Sequence, residues 1–221
     1  MGGDTMKKII PSRLETGVQK ILYRTIGQRI PAHVTPNQIT LIGALGGFAG
    51  IVCAALSSLS RWFLAGTICG LVCHLICDDL DGYVARTRNM SSRAGGYFDL
   101  LTDILHITYL IIALAFAGVI HLHVAILMVP VYALLMFTAM NYILHLDEFL
   151  FPRLGPIETH LFFALVCVIG IVYRGDWTID FYGFVCSPAD IIVLAGGGLM
   201  YYEMIRLQVQ LFRRLRQDDE K

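Results

Sequence analysis

The chain has 221 residues, 56% of them apolar before its 21 glycines are counted, and only 15% charged. Soluble domains carry about 25% charged residues, so this composition excludes a disordered chain and argues against an ordinary soluble globule. Lys and Arg balance Asp and Glu at 17 each, which leaves no global basic field to attract nucleic acid.

Lys7, Lys8, Arg13, Lys20, Arg24 and Arg29 crowd the first segment without an early apolar run or a cleavage site, so no signal peptide is expected. Met1-Gly2 opens like a myristoylation signal, but Met6 stands where Ser or Thr is needed. The stretch 11–30, PSRLETGVQKILYRTIGQRI, places Leu14, Val18, Leu22, Ile26 and Ile30 on one helical face. With Lys and Arg on its other faces, it is expected to lie along a membrane surface as an amphipathic interfacial helix.

Six apolar blocks follow, at roughly 39–59, 62–82, 98–120, 123–146, 158–173 and 188–210, each near the ~20 residues that a bilayer span requires. The expected fold is therefore an all-α integral membrane protein, with six transmembrane helices preceded by the interfacial helix. All Lys and Arg except Arg61 and Arg174 fall on one side of this arrangement. The positive-inside rule then puts both termini in the cytoplasm. The six cysteines (53, 69, 73, 77, 167 and 186) lie in or beside apolar blocks without a C-x-x-C pair, and read as small buried hydrophobes.

Acidic residues near hydrocarbon are costly and mark functional sites. The stretch CDDLDGYVARTRNMSSRAGGYFDLLTDIL gathers five of them at the cytoplasmic ends of spans two and three. Asp78 and Asp81 are spaced i, i+3, and Asp99 and Asp103 are spaced i, i+4, so each pair shares a helix face. A short hairpin brings the two faces together, and the four carboxylates then repel unless cations neutralise them. Carboxylate oxygens suit hard ions such as Mg²⁺ or Mn²⁺. His74 and Cys77 open a weaker route to a softer metal. Asp79 points elsewhere and reads as an interfacial charge. Gly82, Ala85 and Gly95 let a bulky or phosphate-bearing ligand approach the backbone, and Arg86 supplies a fixed positive charge suited to phosphate.

These residues spell D-x2-D-G-x2-A-R-x8-G-x3-D-x3-D, formed by Asp78, Asp81, Gly82, Ala85, Arg86, Gly95, Asp99 and Asp103. The chain resembles the CDP-alcohol phosphotransferase family in every fixed position of that signature. Pro36-Asn37-Gln38-Ile39-Thr40 is similar to the family's P-N-x-x-T opening of the first span. The resemblance implies a membrane enzyme of phospholipid synthesis: a second alcohol attacks the β-phosphate of a CDP-alcohol and CMP leaves. It implies two metal ions on Asp78, Asp81, Asp99 and Asp103, with Asp103 also taking the hydroxyl proton. Asn37, Thr40, Gly82, Ala85 and Gly95, with Asp78 and Arg86, would bind the CDP moiety. The division expected is an interfacial segment at 1–30, the six-span catalytic domain at 31–212 and a charged tail at 213–221. A homodimer in a bacterial inner membrane or an endomembrane is also implied, with the active site facing the cytoplasm and no nucleic-acid partner.

Other polar residues carry weaker signals. Glu158 suits the start of span five through the helix dipole, or else joins the acceptor site. His106, one turn beyond Asp103, either orients that aspartate or the acceptor, or is a core histidine. His121 and His123 flank an outer loop and are expected in solvent, and Asp147 and Glu148 read as boundary charges. Tyr132, Phe137 and Tyr142 read as packing in preference to an aromatic cage. Arg153 is the only Arg or Lys between Arg93 and Arg174, which disfavours a phosphorylated acceptor. Leu100 stands where the similar aminoalcohol enzymes carry His, which favours CDP-diacylglycerol as donor. A CDP-choline or CDP-ethanolamine phosphotransferase is the alternative. A divalent-cation transporter is the alternative of another class, although transport does not require Gly82, Ala85 and Arg86.

Overall fold

The computed structural model of the chain describes residues 7–8, 13–146, 148–149, 155–173, 175 and 177–220. Asp147, Arg153, Arg174 and Lys221 lie outside them. Helix α1 (Arg13–Thr25) and a 3-10 turn at Gly27–Arg29 lead into α2 (Pro36–Leu56), α3 (Phe63–Thr87), α4 (Arg93–Phe116) and α5 (Leu122–Leu146). Helices α6 (Pro156–Val172) and α7 (Pro188–Asp219) complete the bundle. Two short strand pairs accompany the helices. One joins Lys7–Lys8 to Glu148–Phe149, and the other joins Ile179–Phe181 to Phe184–Cys186.

Helix starts follow from local chemistry. Thr35 caps α2 in a capping box with Gln38, and Pro36 supplies a preset φ for the first turn. Ser92 caps α4 by accepting from the Gly95 amide, and Ser187 caps α7 with Asp190 completing the box. Between α3 and α4, Asn89 takes the left-handed conformation at φ 54°, a common helix stop.

Helices α2 to α5 are long and apolar enough to cross a membrane. They leave Leu45, Phe48, Phe116, Ile126 and Leu144 more than half exposed, an outer surface suited to lipid and not to water. Helix α6, at 17 residues, is shorter than the ~20 of a usual span. From its middle onward α7 carries Glu203, Arg206, Arg213, Arg214 and Arg216. Four of the six expected spans thus meet the requirement by length and composition.

The interfacial reading of 11–30 needs correction in extent. The helix ends at Thr25 and the chain turns at Gly27, so Ile26 and Ile30 do not continue a single face. An added Cβ on Gly27 would lie 2.7 Å from the ring of Tyr83, which fixes glycine where the chain passes over α3. Leu22 is buried with Leu80 and Val84 of α3, whereas Val18 and Ile26 stay exposed.

The main core lies between α3, α4, α5 and α6, where Leu64, Leu71, Ile107, Leu110, Leu114, Val124, Val131 and Val166 are almost fully buried. Helix α2 lies on α3 with backbone against backbone: a Cβ on Gly70 would fall 2.5 Å from the Gly50 Cα. Small residues allow such approach within membranes. All six cysteines are free; Cys73 and Cys77 line this α2–α3 seam, whereas Cys69 faces outward. Tyr132 and Tyr142 are buried, and the Tyr142 hydroxyl donates to the Leu207 carbonyl. Phe137 points outward, so the three aromatics form no cage.

Substituting Gly70→Val should force α2 and α3 apart and lower stability by about 1–3 kcal/mol. Gly198→Ala, on α7 with open space around it, should instead raise it by up to about 1 kcal/mol. Thermal unfolding of the two variants in one detergent measures the contrast.

Candidate active site

The fixed positions of the signature all lie on helices. Span two was expected to end near residue 82 and span three to begin near 98, but α3 runs to Thr87 and α4 starts at Arg93. Apolarity ends earlier than the helix does, because carboxylates do not terminate helices when their faces find partners. The intervening turn is fastened by Arg88, whose guanidinium donates to the carbonyls of Ile30, Pro31 and Val34. This clasp holds the entry to α2 against the end of α3.

One carboxylate oxygen each from Asp78, Asp99 and Asp103 lies within 4.8 Å of those of the other two. Asp81 is turned aside: it is buried and accepts a hydrogen bond from the Thr40 hydroxyl at 2.5 Å. A cavity of about 150 Å³ opens beside it, lined by Asn37, Thr40, Asp81, Gly82, Ala85, Gly95 and Asp99, together with Met90 and Ser92. Asp99 therefore belongs both to the carboxylate group and to the cavity wall. Two unit charges 4 Å apart repel by about 4 kcal/mol at an effective dielectric of ~20. A trio of converging oxygens in a half-buried setting is thus a donor set suited to a hard divalent cation.

Arg86 does not line this cavity. Its guanidinium donates to the Tyr23 hydroxyl at 3.2 Å, and Tyr23 stacks on Tyr83 with ring centroids 4.6 Å apart. Burial, with Asp79 nearby, pushes the Tyr23 phenol above its usual pKa, so it stays a neutral hydroxyl at physiological pH. Asp79 itself is not the interfacial charge expected from spacing. It is buried, and one oxygen accepts from the Gln19 side chain at 2.8 Å. Burial of a carboxylate requires such a partner, and α1 supplies it.

Glu158 is engaged at the start of α6, where its carboxylate accepts from the Gly155 amide at 3.0 Å. His106 is buried and packs against His74 at 4.0 Å between ring centroids. The histidine that approaches Asp103 is His74, with Nε2 3.8 Å from Oδ1. His121 is not simply solvated, since its backbone amide donates to Asp190 and its ring Nδ1 lies 2.6 Å from the same carboxylate. Sequence reading missed Gln19 and Tyr23, whose partners are some sixty residues away, and Arg88 and His160, for which no local pattern gave a signal.

A family model described as CDP-alcohol phosphatidyltransferase matches residues 33–199. No curated protein matches the chain significantly.

Neutralising one member of the trio, as in Asp78→Asn, should raise the melting temperature in chelator. The expected shift is about 2–4 °C for each kcal/mol of repulsion relieved. Adding Mg²⁺ should then stabilise the unaltered protein more than the variant. Differential scanning fluorimetry with and without metal reads both effects.

Proposed function

Because the chain belongs to the CDP-alcohol phosphatidyltransferase family, whose chemistry transfers a substituted phosphate from a CDP-alcohol to an acceptor alcohol, we propose that it uses CDP-diacylglycerol as donor and releases CMP. The observation that carries this reading is the meeting of the Asp78, Asp99 and Asp103 oxygens beside a cavity walled by Asn37, Thr40, Gly82, Ala85 and Gly95. The signature assigns those same residues to metal and nucleotide. Support for a lipid donor comes from Leu100, and the scarcity of Arg and Lys between Arg93 and Arg174 speaks for an acceptor without a phosphate.

In this reading the cytidine diphosphate enters the cavity between the start of α2 and the α3–α4 turn, where small residues admit it. Asp78, Asp81, Asp99 and Asp103 would hold Mg²⁺ or Mn²⁺. When bound, these ions neutralise the carboxylates and the diphosphate so that CMP can leave. Thr40 orients Asp81 through its hydrogen bond. Asp103 takes the proton of the acceptor hydroxyl as the bond from that oxygen to the β-phosphorus forms and the bond to the CMP oxygen breaks. The enzyme spans the membrane six times, with both termini and the active site on the cytoplasmic side, and works as a homodimer.

The test is CMP release from purified protein supplied with radiolabelled CDP-diacylglycerol or CDP-choline and a panel of acceptor alcohols. Release is expected with CDP-diacylglycerol and only when Mg²⁺ or Mn²⁺ is present; full release in excess chelator overturns the metal assignment. Asp103→Asn should lower turnover by about 10²–10⁴-fold while leaving nucleotide binding in place. If saturating metal restores its turnover, Asp103 is a ligand and not the base. A side chain at residue 95 meets Asn37 Oδ1 at 3.2 Å from its first carbon onward. Gly95→Leu should therefore abolish binding of CMP itself, as read by calorimetry.

A further inference from the structure

Beyond the carboxylate cluster, three histidines from three helices meet in the bundle interior: His74 of α3, His106 of α4 and His160 of α6. All are buried, at 3%, 5% and 6% exposure. One ring nitrogen of each lies within 4.8 Å of those of the other two. His74 is one turn before Asp78 and His106 nearly one turn after Asp103, so the group sits deeper along both helices than the acids.

The hydrogen-bond account of this cluster does not close. His160 Nδ1 lies 2.8 Å from the Pro156 carbonyl, which can only accept, so Nδ1 carries the proton. In the neutral ring, Nε2 is then left with a lone pair. That Nε2 is buried without a partner, and so are Nδ1 of His74 and Nδ1 of His106. Three orphaned ring nitrogens in one apolar neighbourhood are too costly to be incidental, since buried polar atoms are ordinarily satisfied. Gly47 of α2 makes room for the group: a Cβ there would lie 2.9 Å from the His74 ring and 3.1 Å from that of His106.

We propose that His74, His106 and His160 form a second metal site, lined by imidazole nitrogen and selective for a divalent transition ion such as Zn²⁺. Imidazole suits such ions, whereas carboxylate oxygen suits Mg²⁺ and Mn²⁺, so ligand softness sorts the two kinds of ion into neighbouring sites. His160 follows the pattern of metal-bound histidine, in which the second ring nitrogen is hydrogen-bonded to a backbone carbonyl or a carboxylate. His160 turns Nδ1 to Pro156, and His74 turns Nε2 toward Asp103 Oδ1 at 3.8 Å. The ion pins α6 to α3 and α4 directly behind Asp103, as a structural and positioning centre. The proposal does not depend on CMP transfer.

The test loads the full chain in detergent with Co²⁺ alone, in an Asp78→Asn/Asp99→Asn background that weakens the carboxylate site. One equivalent should remain bound, with the visible absorption of low-coordinate, nitrogen-ligated Co²⁺. Adding His160→Phe to that background should abolish the absorption. It should also weaken binding by more than the roughly 10–100-fold that loss of an outer-shell partner costs. Equal Co²⁺ binding with and without His160 overturns the site. X-ray absorption at the zinc edge, on the unaltered protein loaded with one equivalent, guards against a misfolded variant. Imidazole scattering at about 2.0 Å supports the proposal, and an oxygen-only shell refutes it. Both readouts are blind to donor and acceptor, so failure here leaves the transfer chemistry standing, and the reverse also holds.

Discussion

Like charges brought close on two helices that face each other beside α2 are the constraint around which this bundle is arranged. Asp78 of α3 meets Asp99 and Asp103 of α4, and nothing in an apolar bundle relieves that opposition except a cation or a proton. The helices hold their positions because energy is gained elsewhere. The large core of Leu, Ile and Val between α3, α4, α5 and α6 supplies dispersion and close packing. The glycine seam locks α2 onto α3. The acids are therefore positioned by packing in which they take no part, which is how a protein maintains a locally unfavourable geometry for chemistry.

Asp81 shows how finely such a cluster is divided. A single turn separates it from Asp78, yet the Thr40 hydroxyl of α2 draws it toward the cavity beside the α3–α4 turn and away from the trio. Asp99 stands on the border between the two. Carboxylates with different surroundings thus come from one short stretch of sequence, and the first turns of α2 set that difference. The capping box at Thr35 and Gln38 matters for that reason: it fixes the start of the helix that carries Asn37 and Thr40 into place.

Much of this was legible in the sequence, because helical periodicity turns spacing into facing. The i, i+4 separation of Asp99 and Asp103 put both beside Asp78, whereas the i, i+3 spacing of Asp78 and Asp81 did not disclose that Asp81 turns to Thr40. The positions of the six apolar helices were readable from hydropathy, although α6 and α7 fall short of a plain span through length and charge. Ends were read less well. Hydropathy falls at Asp78, but α3 continues to Thr87 since helix propensity and tertiary partners outweigh polarity there. Long-range pairings were not legible at all. Asp79 looked like a surface charge because nothing near it in the chain says that Gln19 reaches across from α1. His160 sits in an apolar helix with no repeat or spacing to flag it, and its importance arises only where three helices cross.

Helix α1 rests on the signature helix through two polar tethers and a stacked ring pair: Gln19 to Asp79, Tyr23 to Arg86, and Tyr23 on Tyr83. The leading segment is thereby wired into the same helix that carries Asp78 and Asp81. For anyone handling the protein, its two ends are not equivalent. A fusion partner or purification tag joined ahead of α1 pulls on a segment that keeps a buried carboxylate satisfied one residue from Asp78. The far end of α7, where Arg213, Arg214 and Arg216 belong to a polar tail, offers a handle that leaves this wiring alone.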